Sequence, residues 1–437
     1  MTDLTIVALA SGQGPSGVAV IRVSGPAAES VLQRFIGFLP TPRQATLRAL
    51  KGADGTIIDR ALVLWFPSPA SFTGEDVVEL HVHGGRAVVS DIIEACLHVP
   101  HVVLAKPGEF TRRAFENGKM DLSSAEGLAD LIDAETTAQR RQALRQMEGA
   151  LSLEVMSWRE EILDALADAE GDIDFPDEDM PLGLTVRARD RITALREKLV
   201  QHLADSGRAI RVRDGFRVAI LGLPNAGKSS LLNVLAKRDA AIVSPHPGTT
   251  RDVVEIRLVL EGLVIWIADT AGLREAADQI EAMGISRTIE QADTADLRLI
   301  VIADEADREQ MEPYVTIGDI WVLAKSDIHV WAQPTANEIP ISSTTRLGLH
   351  ELESAILKRA KQDLSETESA PLTRLRHKEA VKATIDALNR ALILGHDVPE
   401  LLAEDLRLAV RSLSEIIGSV STEEVLSRVF SQFCIGK

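Results

Sequence analysis

Only two cysteines, Cys96 and Cys434, occur in 437 residues. Two thiols cannot build a disulfide framework or a thiolate zinc site, and their scarcity fits a reducing compartment, so a cytoplasmic protein is expected. Positive charge is also in short supply. Lys and Arg number 47 against 65 Asp and Glu, a formal net charge of −18. A protein that grips nucleic acid through its overall field is basic, so any RNA contact here must use a local patch. No run of about 18 apolar residues is present, which argues against a membrane-spanning helix. The N-terminus passes Asp3 and reaches Ser11-Gly12-Gln13 with no basic region ahead of an apolar one, so no signal peptide is expected. What remains is globular in balance, 45% hydrophobic and 26% charged. The length suggests two or three domains.

The texture changes along the chain. Residues 1–118 read as mixed α+β, with β-branched runs such as Val18-Ala19-Val20-Ile21 and Ala61-Leu62-Val63-Leu64-Trp65 bounded by Gly and Pro. From Asp121 to Ala169 Gly and Pro almost vanish, and apolar residues recur at helical spacing, as in Leu128, Leu131 and Ile132. The acidic stretch Asp172–Asp179 is expected to be a solvated loop between helices. Helical texture resumes over 185–211. From Phe216 to about residue 360 strand and helix signals alternate, which predicts a parallel sheet with crossover helices. The tail is helical again, with Leu388 and Leu392 in one run and Leu406, Val410, Leu413 and Ile416 in another. The expected division is 1–118, 119–212, 213–365 and 366–437, an α/β domain inserted into a helical bundle.

Gly222-Leu223-Pro224-Asn225-Ala226-Gly227-Lys228-Ser229 matches the phosphate-loop pattern G-x-x-x-x-G-K-S. An apolar strand precedes it, and Ser230-Leu231-Leu232 opens a helix after it. Backbone N–H groups and the helix N-terminus suit phosphate oxygens. Lys228 suits the β- and γ-phosphates, and Ser229 suits Mg2+. Gly248-Thr249-Thr250-Arg251-Asp252 offers Thr250 as a second Mg2+ ligand. Asp269-Thr270-Ala271-Gly272 closes an apolar run, with Asp269 suited to a second-shell metal contact and Gly272 to a γ-phosphate contact and a switch hinge. Lys325-Ser326-Asp327 follows the strand Ile320-Trp321-Val322-Leu323, and its carboxylate can accept both N1–H and N2–H of guanine. Ser342-Ser343-Thr344 is a second candidate for contact with the base. Each motif is weak alone. Five in order, each beside the right element, point to GTP binding and hydrolysis.

Leu273 stands where Ras-type enzymes place a water-orienting Gln, and leucine cannot orient water. Two substitutes are visible: an acid in the next segment, Glu275 or Glu281, or a monovalent cation with Asn225 as a ligand.

These motifs resemble the MnmE (TrmE) family, tRNA uridine-5-carboxymethylaminomethyl modification GTPases. So do Ser71-Phe72-Thr73-Gly74-Glu75-Asp76, His83-Gly84-Gly85, Pro107–Phe115, Asn117–Leu122 and the ending Phe433-Cys434-Ile435-Gly436-Lys437. The resemblance implies a folate-binding N-terminal domain that forms a homodimer, a central helical bundle and an inserted Ras-like P-loop GTPase domain. It implies that Arg22, Glu79, Lys119 and Lys437 contact a 5-formyl-tetrahydrofolate-type one-carbon donor. It further implies K+ held by Asn225, Ser244, His246 and Thr249, with Ser244 also near the nucleotide and Glu281 as the catalytic, water-orienting acid. The partners implied are tRNA and an MnmG-like protein carrying FAD, acting together on C5 of the wobble uridine. Three departures stand out. The base motif starts with Ala324 rather than Asn. Ser244-Pro245-His246-Pro247 is rich in proline, which stiffens the chain. Residues 304–345 are short for the family.

Other residues carry bland readings beside functional ones. Cys434 can be a reactive thiol or a partly buried structural one, and Cys96 sits among apolar neighbours as core. His81 and His83 alternate on a strand without further ligands nearby in sequence. Arg140, Arg141 and Arg145 can touch tRNA phosphates or simply solubilise a helix. The competing functions are a GTPase switch in ribosome assembly, which should carry a basic RNA-binding appendage, and an ATPase freed of guanine selectivity by Ala324.

Overall fold

Apolar residues at strand spacing build two sheets, and the computed structural model shows where each face goes. It describes residues 4–174, 184–237, 241–242, 254–269, 295–332, 334–363, 372–394, 398–419, 423–431 and 433–436. The chain divides into two compact units. One comprises Met1–Ile132, Arg145–Leu195 and Ala383–Lys437; the other comprises Asp133–Leu144 and Arg196–Lys382.

The first unit opens with β1 (Thr5–Leu9), β2 (Ala19–Ser24), α1 (Ala28–Ile36), β3 (Thr46–Lys51), β4 (Ile57–Phe66), β5 (Val77–Val82), α2 (Arg86–Leu97), β6 (Val102–Leu104) and α3 (Glu109–Glu116). Its six strands lie in the order β3-β4-β5-β2-β1-β6. All neighbours are antiparallel except β1 and β6. One face is packed by Val7, Ile21, Val23, Leu80 and, from α1 and α2, Leu32, Phe35, Ile92 and Cys96. Burial pushes the Cys96 thiol up to about 12, so it is a core residue and unreactive.

Helices follow: α4 (Leu122–Asp133), α5 (Thr137–Met147), α6 (Ala150–Asp174) and α7 (Leu184–Asp214). The acidic stretch is partly helical, contrary to the loop expected for it, because α6 continues through Asp174; Phe175–Asp179 lie outside the described residues.

The second unit holds β7 (Phe216–Leu221), α8 (Lys228–Ala236), β8 (Ala241–Ile242), β9 (Val254–Leu260), β10 (Leu263–Asp269), β11 (Leu297–Ile302), α9 (Glu305–Met311), β12 (Ile320–Leu323), β13 (Glu338–Pro340) and α10 (Leu349–Asp363). Its sheet runs β13-β12-β11-β7-β10-β9-β8. The five strands from β13 to β10 are parallel, and β9 and β8 alternate in direction. Successive residues serve opposite faces. Val218 and Ile220 join Leu231, Ile265 and Val301 on one, while Ala219 and Leu221 join Ile300, Ile302 and Met311 on the other.

Three helices complete the chain: α11 (Leu375–Leu394), α12 (Pro399–Ile417) and α13 (Glu423–Phe430). In the first unit α12 packs along α6. Phe430 of α13 meets Phe115 with ring centroids 6.1 Å apart and Phe433 at 5.9 Å. Among the described residues, no helix is long and apolar enough to cross a membrane.

Candidate functional site

β7 lies between β10 and β11, and the strands that follow it in the chain fall first on one side of it and then on the other, so strand order reverses at β7. In open parallel sheets such a reversal opens a crevice beyond the carboxyl ends of the strands. The loop 222–227 lies there. Gly222, at φ +151°, passes so close to β11 that a Cβ would fall 2.3 Å from the Val301 carbonyl oxygen. Asn225 takes a left-handed φ of 62° at the loop tip and is exposed. Ala226 is buried, and its N–H donates to the Leu223 carbonyl oxygen at 3.3 Å. Gly227 caps α8, which begins at Lys228.

Lys228 is buried, and its ammonium donates to the carbonyl oxygens of Gly222 at 2.8 Å and Leu223 at 2.7 Å. A buried ammonium is tolerated only when its donors are matched, and here the loop folds around it. Ser229 and Ser230 follow in the first turn of α8, both exposed. Asp269, the last residue of β10, pairs in register with Ile220 of β7, at the carboxyl edge of the sheet.

Two further loops leave the same edge. In the first, after β12, Ala324 is buried, and its methyl lies 3.6 Å from where a Cβ on Gly227 would stand, so this loop touches the phosphate loop. Lys325 and Asp327 are both exposed. The second loop, after β13, is tied to the first, because the Ser326 N–H donates to the Ile341 carbonyl oxygen at 3.0 Å. Ser342 is fully buried, and its hydroxyl accepts the N–H groups of Thr344 at 3.2 Å and Thr345 at 3.1 Å. Its side chain thereby shapes the loop, while Ser343 is half-buried and Thr344 exposed. Ser244, His246, Thr249, Thr250, Thr270, Ala271, Gly272, Glu275 and Glu281 lie outside the described residues.

The first unit carries a separate cluster. Arg22 on β2 and Glu79 on β5 are direct cross-strand partners. Both Nε at 3.0 Å and Nη2 at 2.9 Å of Arg22 donate to one Glu79 carboxylate oxygen. The guanidinium stands 5.2 Å from the Phe72 ring centroid and 5.8 Å from that of Phe110. His81 Nε2 is 3.2 Å from the second Glu79 oxygen. Lys119 packs against Gly74 of the loop that carries Phe72. Gly436, at φ +98°, approaches β1 so closely that a Cβ would fall 2.0 Å from the Leu9 carbonyl oxygen. Lys437 lies outside the described residues. Cys434 is exposed, which removes the partly buried alternative.

Sequence reasoning missed how this loop is held. Arg113, only 4% exposed, donates to Glu75, Glu109 and the Leu4 carbonyl oxygen, and Ser24 donates to Glu75 at 2.7 Å. Both motifs were legible, but nothing in either signals that they meet. His83 pairs with Asp59 at 2.7 Å rather than with His81. Among the described residues no group of three His, Cys, Asp or Glu side chains could hold a metal ion.

A loop closed around a buried lysine at the sheet's switch point, beside a Lys-x-Asp loop, defines the class: a P-loop nucleotide-binding protein of the guanine type. A family model described as the MnmE helical domain matches residues 122–434, and one described as the GTP-binding protein TrmE N-terminus matches residues 5–119. The chain belongs to the MnmE family of tRNA modification GTPases. Among its relatives, the tRNA modification GTPase MnmE of Caulobacter vibrioides is 51% identical, that of Maricaulis maris 49% and that of Phenylobacterium zucineum 47%, each alignment covering 100% of both chains.

Proposed function

We propose that this chain binds GTP with Mg2+ at residues 222–229, hydrolyses it with K+ assistance, and works with an FAD-carrying partner to modify C5 of the wobble uridine in certain tRNAs. The nucleotide domain of this reading runs from about 213 to 365, inserted between the helical segments 119–212 and 366–437. The helical-family model matches one range, residues 122–434, that reaches into both flanking segments, as an insertion requires.

The observation that carries the reading is the seat of Lys228. Its ammonium already lies inside the loop, held by two carbonyls, ready to exchange them for β- and γ-phosphate oxygens. Loop amides and the N-terminus of α8 add donors to the same oxygens. Ser229 at the head of α8 fits a Mg2+ ligand in type and in place, with Thr250 as the second ligand and Asp269, at the end of β10, as a second-shell partner. When bound, Mg2+ neutralises charge on the phosphate oxygens. Asp327 accepts the two N–H groups of guanine, and Ser342, Ser343 and Thr344 border the base. Water, oriented by Glu281, attacks the γ-phosphorus as its bond to the β–γ bridging oxygen breaks; the water's oxygen and protons go to the released phosphate, and GDP leaves with the bridging oxygen. Asn225, exposed at the loop tip, fits a K+ ligand, with Ser244, His246 and Thr249 as the others.

Arg22, Glu79 and Lys119 fit a tetrahydrofolate. The Arg22–Glu79 pair offers donors and an acceptor to a pterin edge, and Lys119 offers a charge to a glutamate tail; Lys437 is the fourth member. The folate supplies a one-carbon unit for the uridine. A homodimer, tRNA and an MnmG-like flavoprotein are the partners of this reading, and its setting is the cytoplasm.

Titration calorimetry of the full chain with GTP and Mg2+, against ATP and Mg2+, tests it. Heat with GTP alone is expected. No heat with GTP, or equal affinity for ATP, overturns it.

A further inference from the structure

The loop that carries Asp327 lacks the asparagine that usually opens its motif. An alanine methyl cannot bridge to anything by hydrogen bonding. The Ala324 peptide is nevertheless held on both sides. Its N–H donates to the Ile302 carbonyl oxygen at 2.8 Å. Its carbonyl oxygen accepts the indole N–H of Trp331 at 3.1 Å. The next residue, Lys325, sits at φ +56°, a left-handed conformation that persists in a residue with a side chain only where its surroundings impose it.

Trp331 is itself anchored. Its ring packs against the cluster of Leu221, Ile300, Ile302, Met311 and Leu323, which Leu223 of the phosphate loop also joins. His329 meets it edge-on, with centroids 4.5 Å apart. Ile328 and Val330 are 80% and 95% exposed, so the segment after Asp327 alternates outward and inward, and the tryptophan is one of the inward residues.

We propose that Trp331 is a positioning residue of the guanine site. Its indole N–H restrains the Ala324–Lys325 peptide from outside the motif and so aims the Asp327 carboxylate at the base. The inference rests on the guanine-site reading given above. It predicts a specific dependence. Inosine nucleotides lack the 2-amino group, so Asp327 meets one donor in them and two in guanine. An Asp327 that is no longer aimed loses more with guanine than with inosine.

The test is calorimetric titration of the full chain with GDP and with IDP, in Mg2+, alongside thermal melting. Trp331→Phe keeps a ring and removes the N–H. GDP binding should weaken about threefold to tenfold, IDP binding should weaken less, and the GDP-to-IDP ratio should fall. Adding Ala324→Asn to that variant should restore the ratio, since position 324 faces the phosphate loop. If the smaller ring disturbs folding, benzothienylalanine at position 331 keeps the indole shape without the N–H, and the same loss of ratio is expected. An unchanged ratio in a folded variant overturns the proposal. So does an equal loss for both nucleotides, which would mark Trp331 as packing only. Failure of the unmodified protein to bind GDP instead overturns the guanine-site reading itself.

Discussion

Lys228 and Asp327 sit in opposite electrostatic settings on two loops of one sheet edge. The lysine is buried and matched by two carbonyls; the aspartate is exposed on a restrained loop. A base-reading carboxylate must meet its ligand without first breaking an internal bond, so exposure suits its role. Asp327→Asn keeps the shape and replaces an acceptor pair by an amide. It should weaken GTP binding about tenfold to a hundredfold and relax base choice, as read by competitive titration with GTP and XTP; unaltered selectivity would remove Asp327 from the site. Glu281→Ala should lower turnover on the order of 100-fold while sparing affinity, checked by single-turnover hydrolysis beside a binding titration. A normal rate would assign water orientation elsewhere.

At the scale of elements, the sheet edge is braced by an ion pair away from the nucleotide loops. Arg308 of α9 pairs with Glu338 of β13 and stacks 5.1 Å over the Trp321 ring of β12. Desolvation pushes the Glu338 carboxyl up, but the Thr335 N–H and the Arg308 guanidinium outweigh it and hold the group below its usual 4.5. A carboxyl whose folded value is depressed stabilises the fold fully above the unfolded value and loses that contribution as pH falls through the folded one. Glu338→Gln should therefore cost about 1–2 kcal/mol at neutral pH, and the difference should shrink as pH drops below 4.5. Urea unfolding midpoints at the two pH values check it; a pH-independent difference would count against the ion pair.

For the whole molecule, GTP turnover should be faster in K+ than in Na+ at equal ionic strength. Asn225→Ala should bring the two rates together without abolishing GTP binding. A phosphate-release assay reads both, and equal rates in the unmodified protein would exclude the cation as a catalytic element. Nucleotide should also act on one unit only. GDP at about 100 times its Kd adds about 2.7 kcal/mol to a binding-competent fold, and differential scanning calorimetry should show that gain in the unit holding residues 196–382. A gain shared by every transition would contradict a site built wholly within that unit.

Short motifs were legible because their chemistry is local. A glycine-rich turn between an apolar strand and a helix carries its phosphate geometry within eight residues, and 222–229 folds as its pattern implies. Core cysteine Cys96 and the parallel sheet were readable from periodicity for the same reason. Arg22 and Glu79, 57 residues apart, became partners only through strand register. Ser342 was legible as a candidate base contact, but that its hydroxyl also ties its own loop shows only in the fold. Trp331 was silent in the sequence because its worth lies in reaching the carbonyl of an alanine that no motif marks. The sequence by itself determined which chemical groups were available and which local turns they could make. The tertiary structure alone decided which of them meet, since that depends on burial and register summed over the whole chain and on no single stretch of it.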